Sequence, residues 1–417
     1  MKKVLLGTLA VLTLAACSKD EVIQQNPNDE ITFSVTTNKA VSRAADGYCN
    51  ASLPGDFQVW AEVDGKNYFA KERYVFETGS TNTYVISGAV RYWPESTTQK
   101  INFYAACNIG TGSESEISIK DWDKTTTATP ASKVIEGYTI ENDVTKQKDL
   151  LYAVVKDATR PAGTEGKIAI NFRHALSQIE FMAKNENPNI YVEISQVKVC
   201  QVNSKGDFTF PSTTDGNINK HDFTGTYPAA SKVGTWANQS ILADYETTTF
   251  TPAVPLSERS YEDNGTLTSP SAPSAASGLT TKDDSGKEYS SNTMYLLPQE
   301  PSVWNPTTNN TPGAGKGAYF LVKTKIWNVA AGDGKRAESS EIVLWGDTNG
   351  KDIAVPFPAS TKWEPGKRYV YTFKFTTTGN GGYNPSDGEP VLIPIKLEVT
   401  VDDFVKGIDK DVEMTKP

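Results

Sequence analysis

Residues Ile190–Val202 read I-Y-V-E-I-S-Q-V-K-V-C-Q-V. Apolar side chains recur at every second position, first at Ile190, Val192 and Ile194, then at Val197 and Val199. Period two places alternate side chains on opposite faces of an extended chain, the signature of a half-buried β-strand. The apolar set changes face between Ile194 and Val197, so a bulge is expected at Ser195-Gln196.

The same pattern spreads outward. Glu30–Val35 (E-I-T-F-S-V) alternates through Ile31, Phe33 and Val35. Phe57–Val63 (F-Q-V-W-A-E-V) presents Phe57, Val59, Ala61 and Val63 to one face. Tyr74–Phe76, Tyr84–Ile86, Arg91–Trp93, Ile101–Ala106, Leu150–Val155, Lys167–Phe172 and Leu176–Ala183 are further strand segments. Later ones are Asp207–Phe210, Met294–Pro298, Ala318–Trp327, Ser340–Trp345, Asp352–Phe357, Arg368–Phe375 and Val391–Val401. Sustained helical periodicity is almost absent. Many short strands with Gly, Pro, Asn and Asp between them indicate an all-β chain of sandwich or barrel domains. Residues 251–292, 305–317 and 376–390 lack periodicity and read as surface loops, the first long enough to be functional.

The N-terminus reads as an address. Lys2 and Lys3 precede the apolar run Val4–Leu14, and Leu14-Ala15-Ala16-Cys17 follows. That is a secretory signal with small residues at its cleavage site. The run is shorter than the ~20 apolar residues that span a bilayer. A cysteine directly after Leu-Ala-Ala resembles a bacterial lipobox, which implies acylation of Cys17; an ordinary signal with a chance cysteine is the alternative. Residues 18–29 are polar and read as a tether. No later segment has 18 consecutive apolar residues.

Composition narrows the function. Among 417 residues, 41 are Lys or Arg and 50 are Asp or Glu, a net charge of -9. Nucleic-acid binders usually carry a basic patch or stripe, so no nucleic-acid partner is expected. Only two histidines, His174 and His221, are available, which argues against a histidine metal site or triad. His174, in Phe172-Arg173-His174-Ala175-Leu176, is expected to be structural. Past Cys17 the cysteines are Cys49, Cys107 and Cys200, an odd number with no metal-binding spacing. One disulfide could form among them, but buried free thiols are the simpler reading.

Catalytic motifs are missing. Gly315-Lys316, Gly334-Lys335 and Gly366-Lys367 all lack the Ser or Thr that a P-loop needs next. No nucleophile elbow, C-x-x-C or H-E-x-x-H occurs. Asp409, Asp411 and Glu413 alternate without the glycine and closing glutamate of a calcium loop and read as a solvated acidic tail. No pair of carboxylates is singled out for glycoside hydrolysis. A non-enzymatic protein without cofactor or metal is expected. The eight tryptophans leave open a sugar-stacking platform, hence the alternative of a surface lipoprotein that binds polysaccharide.

The ordered set of segments resembles the fimbrillin (Mfa-like) family of Bacteroidales, the subunits of type V pili. The pieces that carry the resemblance are Tyr92-Trp93-Pro94, Asp149-Leu150-Leu151 and I-N-F-R-H-A-L-S-Q-I-E-F ending at Phe181. They follow a lipobox cysteine and I-T-F-S-V, and Tyr295-Leu296-Leu297-Pro298-Gln299 comes later. The resemblance implies two transthyretin-like β-sandwich domains in tandem, taken as 30–175 and 176–417. It implies delivery to the outer membrane as a lipoprotein, then a cut after Arg or Lys by a trypsin-like protease. That cut removes the first strand, and the groove accepts a strand from another pilus subunit. Arg43 lies in the polar, small-residue stretch Thr36–Gly47 and is the expected cleavage site, with Lys39 second. Ile31, Phe33 and Val35 would be the side chains that leave.

The donor candidate is Val391–Val401, through Val391, Ile393, Ile395, Leu397, Val399 and Val401. The alternative is that it completes this chain's own second domain and the charged remainder is a tail. That would suit a tip or anchor subunit, and deleting residues 402–417 would leave the fold intact. A host or glycan receptor is a further partner the resemblance allows.

Overall fold

The computed structural model describes residues 29–35, 55–96, 98–109, 117–122, 132–160, 167–170, 172–212, 233–251, 253–256, 277–279, 281–282, 288–289, 293–329, 332, 336, 341–379 and 381–403. Cys17, the 18–28 portion of the tether, Lys39, Arg43, Cys49, His221, Asp409, Asp411 and Glu413 lie outside them.

The strands of the first half are β1 Thr32–Val35, β2 Asp56–Val63, β3 Lys66–Phe76, β4 Thr83–Ile86, β5 Ile101–Ile109, β6 Val134–Thr139, β7 Asp149–Ala158, β8 Lys167–Ile170 and β9 Arg173–His174. Those of the second half begin with β10 Ser177–Asn185, β11 Ile190–Thr209, β12 Thr235–Glu246, β13 Val254–Pro255, β14 Ser277–Gly278, β15 Thr281–Lys282 and β16 Glu288–Tyr289. They end with β17 Met294–Leu296, β18 Tyr319–Asn328, β19 Val343–Trp345, β20 Lys351–Pro356, β21 Lys367–Phe375 and β22 Ile395–Asp403. The chain is all-β among the described residues, apart from short 3-10 turns such as Val144–Lys146.

Eight strands form one sheet in the order β8-β1-β4-β3-β2-β5-β7-β9. It encloses an apolar cluster that includes Ile31, Phe33, Phe57, Val59, Tyr74, Tyr84, Phe103 and Ile170. A second sheet runs β12-β11-β18-β19, with β6, β13 and β20 also paired to it, and a third runs β14-β10-β21-β22. The second and third sheets meet through Phe320, whose ring lies 5.9 Å from Phe181 and 4.9 Å from Tyr371.

Strand β2 is buried on both faces in its middle, contrary to a one-sided reading of F-Q-V-W-A-E-V. Phe57, Val59 and Ala61 face the first core, while Trp60 joins the second. The cause is β6, which pairs with β11 and so ties residues 134–139 to the second sheet. Tyr152 in the first sheet meets Phe208 of β11 at 4.8 Å, and the Trp236 indole donates to the Ala175 carbonyl at 2.6 Å.

β11 runs unbroken for 20 residues, joining the segments read as Ile190–Val202 and Asp207–Phe210. Its register against β18 slips between Ile194 and Gln196, where the apolar set changes face. Several expected strands shrink, two of them beside a proline that cannot donate to a ladder. Arg91–Trp93 keeps a single bridge, Glu30 to Tyr92, ahead of Pro94. Val391–Val401 becomes strand only from Ile395, after Pro394. Within the 251–292 loop, β13 pairs with β11 and β14 with β10.

Candidate functional site

Strand β1 fills a slot between two short neighbours. It pairs antiparallel with β4 (Phe33 opposite Tyr84) and parallel with β8 (Thr32–Val35 opposite Lys167–Ile170). Three further backbone bonds hold its ends: Ile31 N–H to Arg91 O at 2.8 Å, Val35 N–H to Asn82 O at 3.0 Å, and Trp93 N–H to Asp29 O at 2.8 Å. Asp29 also pairs with the Arg160 guanidinium.

The side chains explain the fit. Ile31 and Phe33 are fully buried and Val35 nearly so. The Phe33 ring is met edge-on by Tyr74 at 4.7 Å, Phe103 at 5.4 Å and Phe57 at 5.9 Å. Burial raises the Tyr74 and Tyr84 phenols far above the ordinary range, as expected of groups placed to pack rather than to ionise. Glu30, at the rim, is raised by burial and then by Glu77. Thus the three side chains read from the alternation sit together in one groove, whose walls come from β2, β3, β4, β5 and β8. That grouping of distant segments has no local sequence signal.

The other expected residues lie at the far end of the chain. β22 is the edge of the third sheet and pairs antiparallel with β21 of the same chain, Ile395 opposite Phe375 through Asp403 opposite Lys367. Its apolar row is uneven. Ile393 and Ile395 are buried, Val391 and Leu397 pack partly, and Val399 and Val401 are 42% and 50% exposed.

Other candidate residues among those described sit in packing and turn positions. His174 is buried, its Nδ1 2.6 Å from the Asp149 carboxylate. Cys107 and Cys200 are buried free thiols, both raised chiefly by burial and so poor thiolates. Gly315 and Gly366 take φ of 72° and 69°, turn conformations that glycine adopts without strain. Among the described residues no group of three or more His, Cys, Asp and Glu is placed to hold a metal. Six tryptophans are buried and Trp236 and Trp345 are half-buried, so the eight form no exposed row for stacking sugars.

The model of the fimbrillin-like family matches residues 27–387. The chain belongs to the fimbrillin-like family. Solved structures similar to this fimbrillin-like chain include the tip fimbrial protein Mfa3 from Porphyromonas gingivalis. It is 8% identical, with 90% of this chain and 99% of that chain covered and a TM-score of 0.37. A second is the fimbrilin fimA from Porphyromonas gingivalis W83, 12% identical, with 91% and 98% covered and a TM-score of 0.37. The assignment rests on the family match rather than on these distant likenesses. No curated protein matches this fimbrillin-like chain.

Proposed function

We propose that this chain is a subunit of a cell-surface pilus that assembles by strand exchange and serves adhesion. It reaches the outer membrane through a lipid on Cys17. A trypsin-like protease then cuts after Arg43, or after Lys39, and β1 departs with Ile31, Phe33 and Val35. Another pilus subunit supplies the replacement strand. No catalysis, cofactor or nucleic acid enters this scheme.

The observation that carries this reading is the seat of β1: four residues between two short strands, with their apolar side chains fully inserted. Losing it would uncover the pairing edges of both β4 and β8 beside an apolar groove. Open edges and apolar grooves bind strands. The three side chains account for about 5–9 kcal/mol of burial, enough to hold the strand until it is cut and to reward its replacement.

β22 bears on the subunit's place in the pilus. Donating it requires giving up nine paired positions on β21. Kept at home, it makes the chain an acceptor that does not donate, which suits a tip or anchor subunit. Its pairing within the chain supports that second assignment.

The test is N-terminal sequencing of protein recovered from the cell surface, with and without trypsin-like protease activity. A start at Ala44 together with high-mass polymers is the expected result. A monomer that still starts at acylated Cys17 would overturn strand exchange at β1.

A further inference from the structure

A second cluster lies on the opposite face of β2 and β5 from the β1 groove. Glu62 of β2 and Asn102 of β5 are direct cross-strand partners. The Glu62 carboxylate accepts from Asn102 Nδ2 at 3.1 Å and from Tyr104 Oη at 2.9 Å through Oε1. Its other oxygen, Oε2, pairs with Lys133 Nζ at 3.0 Å, and the side chains of Lys133 and Glu62 are only 6% and 8% exposed. The carbonyl of Asn102 is engaged as well: its Oδ1 accepts the Asp157 backbone N–H at 2.9 Å.

Lys133 enters from the other side of the molecule. It directly precedes β6, and its carbonyl accepts from Phe210 N–H at 2.9 Å, so it moves with the sheet built on β11. Its ammonium lies 5.5 Å from the Tyr104 ring centre and 5.3 Å from that of Trp122. A second amine, Lys156 Nζ, touches the Tyr104 hydroxyl and lies 4.2 Å from the same ring centre.

One carboxylate thus holds an amine on one oxygen and a carboxamide on the other, in an aromatic, water-poor setting. We propose that Lys133 and Asn102 become joined by an amide bond that the folded chain makes on itself, with Glu62 carrying the protons.

The chemistry balances without an outside reagent. Glu62 takes one proton from the Lys133 ammonium. The freed Nζ lone pair attacks Asn102 Cγ, and the Asp157 N–H steadies the negative charge that gathers on Oδ1, as an oxyanion donor does. The Nζ–Cγ bond forms and the Cγ–Nδ2 bond breaks. Glu62 relays the protons from Nζ to Nδ2, which departs as ammonium, and Glu62 ends as a carboxylate. No atom changes oxidation state.

Charge also favours the product. Before reaction Glu62 faces two lysines; afterwards it faces only Lys156. Burial pushes the Lys156 amine down to about 8, with Glu62 opposing and Lys133 adding to the fall. Removing the Lys133 charge therefore relieves a repulsion within the cluster. The bond would strap β5 of the first sheet to the segment leading into β6 of the second. In a pilus subunit such a strap would carry tension, a role that rests on the pilus reading; the bond itself does not.

The test is peptide mapping by mass spectrometry of the full-length chain after expression and purification. The expected result is a branched peptide joining the Asn102 and Lys133 segments, lighter than their sum by one ammonia. Lys133→Arg keeps the charge and the ion pair but cannot form the bond, so both peptides should appear unbranched with the protein still folded by circular dichroism. Glu62→Gln should leave them unbranched as well. Should Glu62→Gln fail to fold, Lys133→Arg decides alone. Unmodified Asn102 and Lys133 peptides from folded wild-type protein would overturn the proposal, as would a branch at Lys156. Neither outcome depends on whether β1 is cleaved.

Discussion

The rings of Phe33 and Tyr74 meet at right angles, 4.7 Å between centres and 88° between planes. Phe33 belongs to the strand assigned to leave, Tyr74 to the wall that stays. Edge-to-face pairs add about 0.5–1.5 kcal/mol beyond the area they bury. Phe33→Ala would leave a cavity against Tyr74, Phe103 and Phe57, costing the uncut protein about 3–5 kcal/mol in urea unfolding. After cleavage at Arg43 and strand loss, wild type and variant should unfold identically. A cost that persists in the mature form would show that β1 stays in place.

Arg160 and Asp29 form the latch at the entry to the same strand, with side chains 32% and 28% exposed. Half-open ion pairs contribute little, typically about 0.2–1 kcal/mol. Arg160→Ala should therefore barely alter unfolding of the uncut chain. Once the chain is cut, the small loss falls wholly on strand retention. The freed N-terminal segment should dissociate about two- to five-fold faster, measured by size-exclusion recovery after protease treatment. Unchanged retention would remove Asp29 from the holding contacts.

Alternation in the sequence points to a first strand with one buried face, and Ile31, Phe33 and Val35 are all buried. It also located the slip at Ser195-Gln196, because a bulge reverses which residues face inward. β12 escaped notice for the opposite reason. In T-W-A-N-Q-S-I-L-A-D-Y-E only Tyr245 is fully buried, so neither face carries an apolar rhythm. The extent of Val391–Val401 was overread because apolar alternation continues through Pro394, where no ladder bond can be donated. The cluster of Glu62, Asn102 and Lys133 was invisible for a topological reason. Its members are polar residues in three separate segments, brought together by the pairing of β2 with β5 and by the reach of Lys133, ahead of β6, to Glu62.

The same cluster sets a pH dependence. Lys156 is lowered to about 8 by burial, against roughly 10.4 for a free lysine. Below about pH 8 both folded and unfolded chains bind its proton, and the folded state carries the full penalty. Between about pH 8 and 10 the unfolded chain binds more of this proton, so the Lys156 contribution rises with pH. The buried thiols of Cys107 and Cys200, both raised by burial, oppose it, because the unfolded chain loses their protons first. Above about pH 10 the tyrosines add to the fall: Tyr371 is raised to about 12 by burial, and other buried tyrosines are raised further. The Lys156 contribution is therefore read as a difference. Urea midpoints measured from pH 7 to 11 should show the wild type gaining on Lys156→Gln between about pH 8 and 10 and running parallel to it above. A constant difference through pH 8–10 would mean that Lys156 is solvated.

Glu180 is engaged on both carboxylate oxygens. It is 3% exposed, and its Oε2 takes both Nε and Nη2 of Arg368, at 3.0 and 2.7 Å. Its Oε1 accepts from Gln178 at 2.9 Å and Thr293 at 3.2 Å. Glu180 lies on β10 and Arg368 on β21, which run parallel, so this fork joins two strands that no hairpin links. Arg368→Ala would strand a buried carboxylate and should cost about 3–5 kcal/mol. Arg368→Lys keeps the charge but loses the two-pronged geometry, and should fall between the two. Adding Glu180→Gln to Arg368→Ala should recover part of the loss, because a neutral amide is easier to bury than an orphaned charge. Urea denaturation of wild type, Arg368→Ala, Glu180→Gln and the double variant closes a double-mutant cycle. Additive losses would mean that Arg368 acts through packing of its stem, and that the fork contributes nothing of its own to holding β10 against β21.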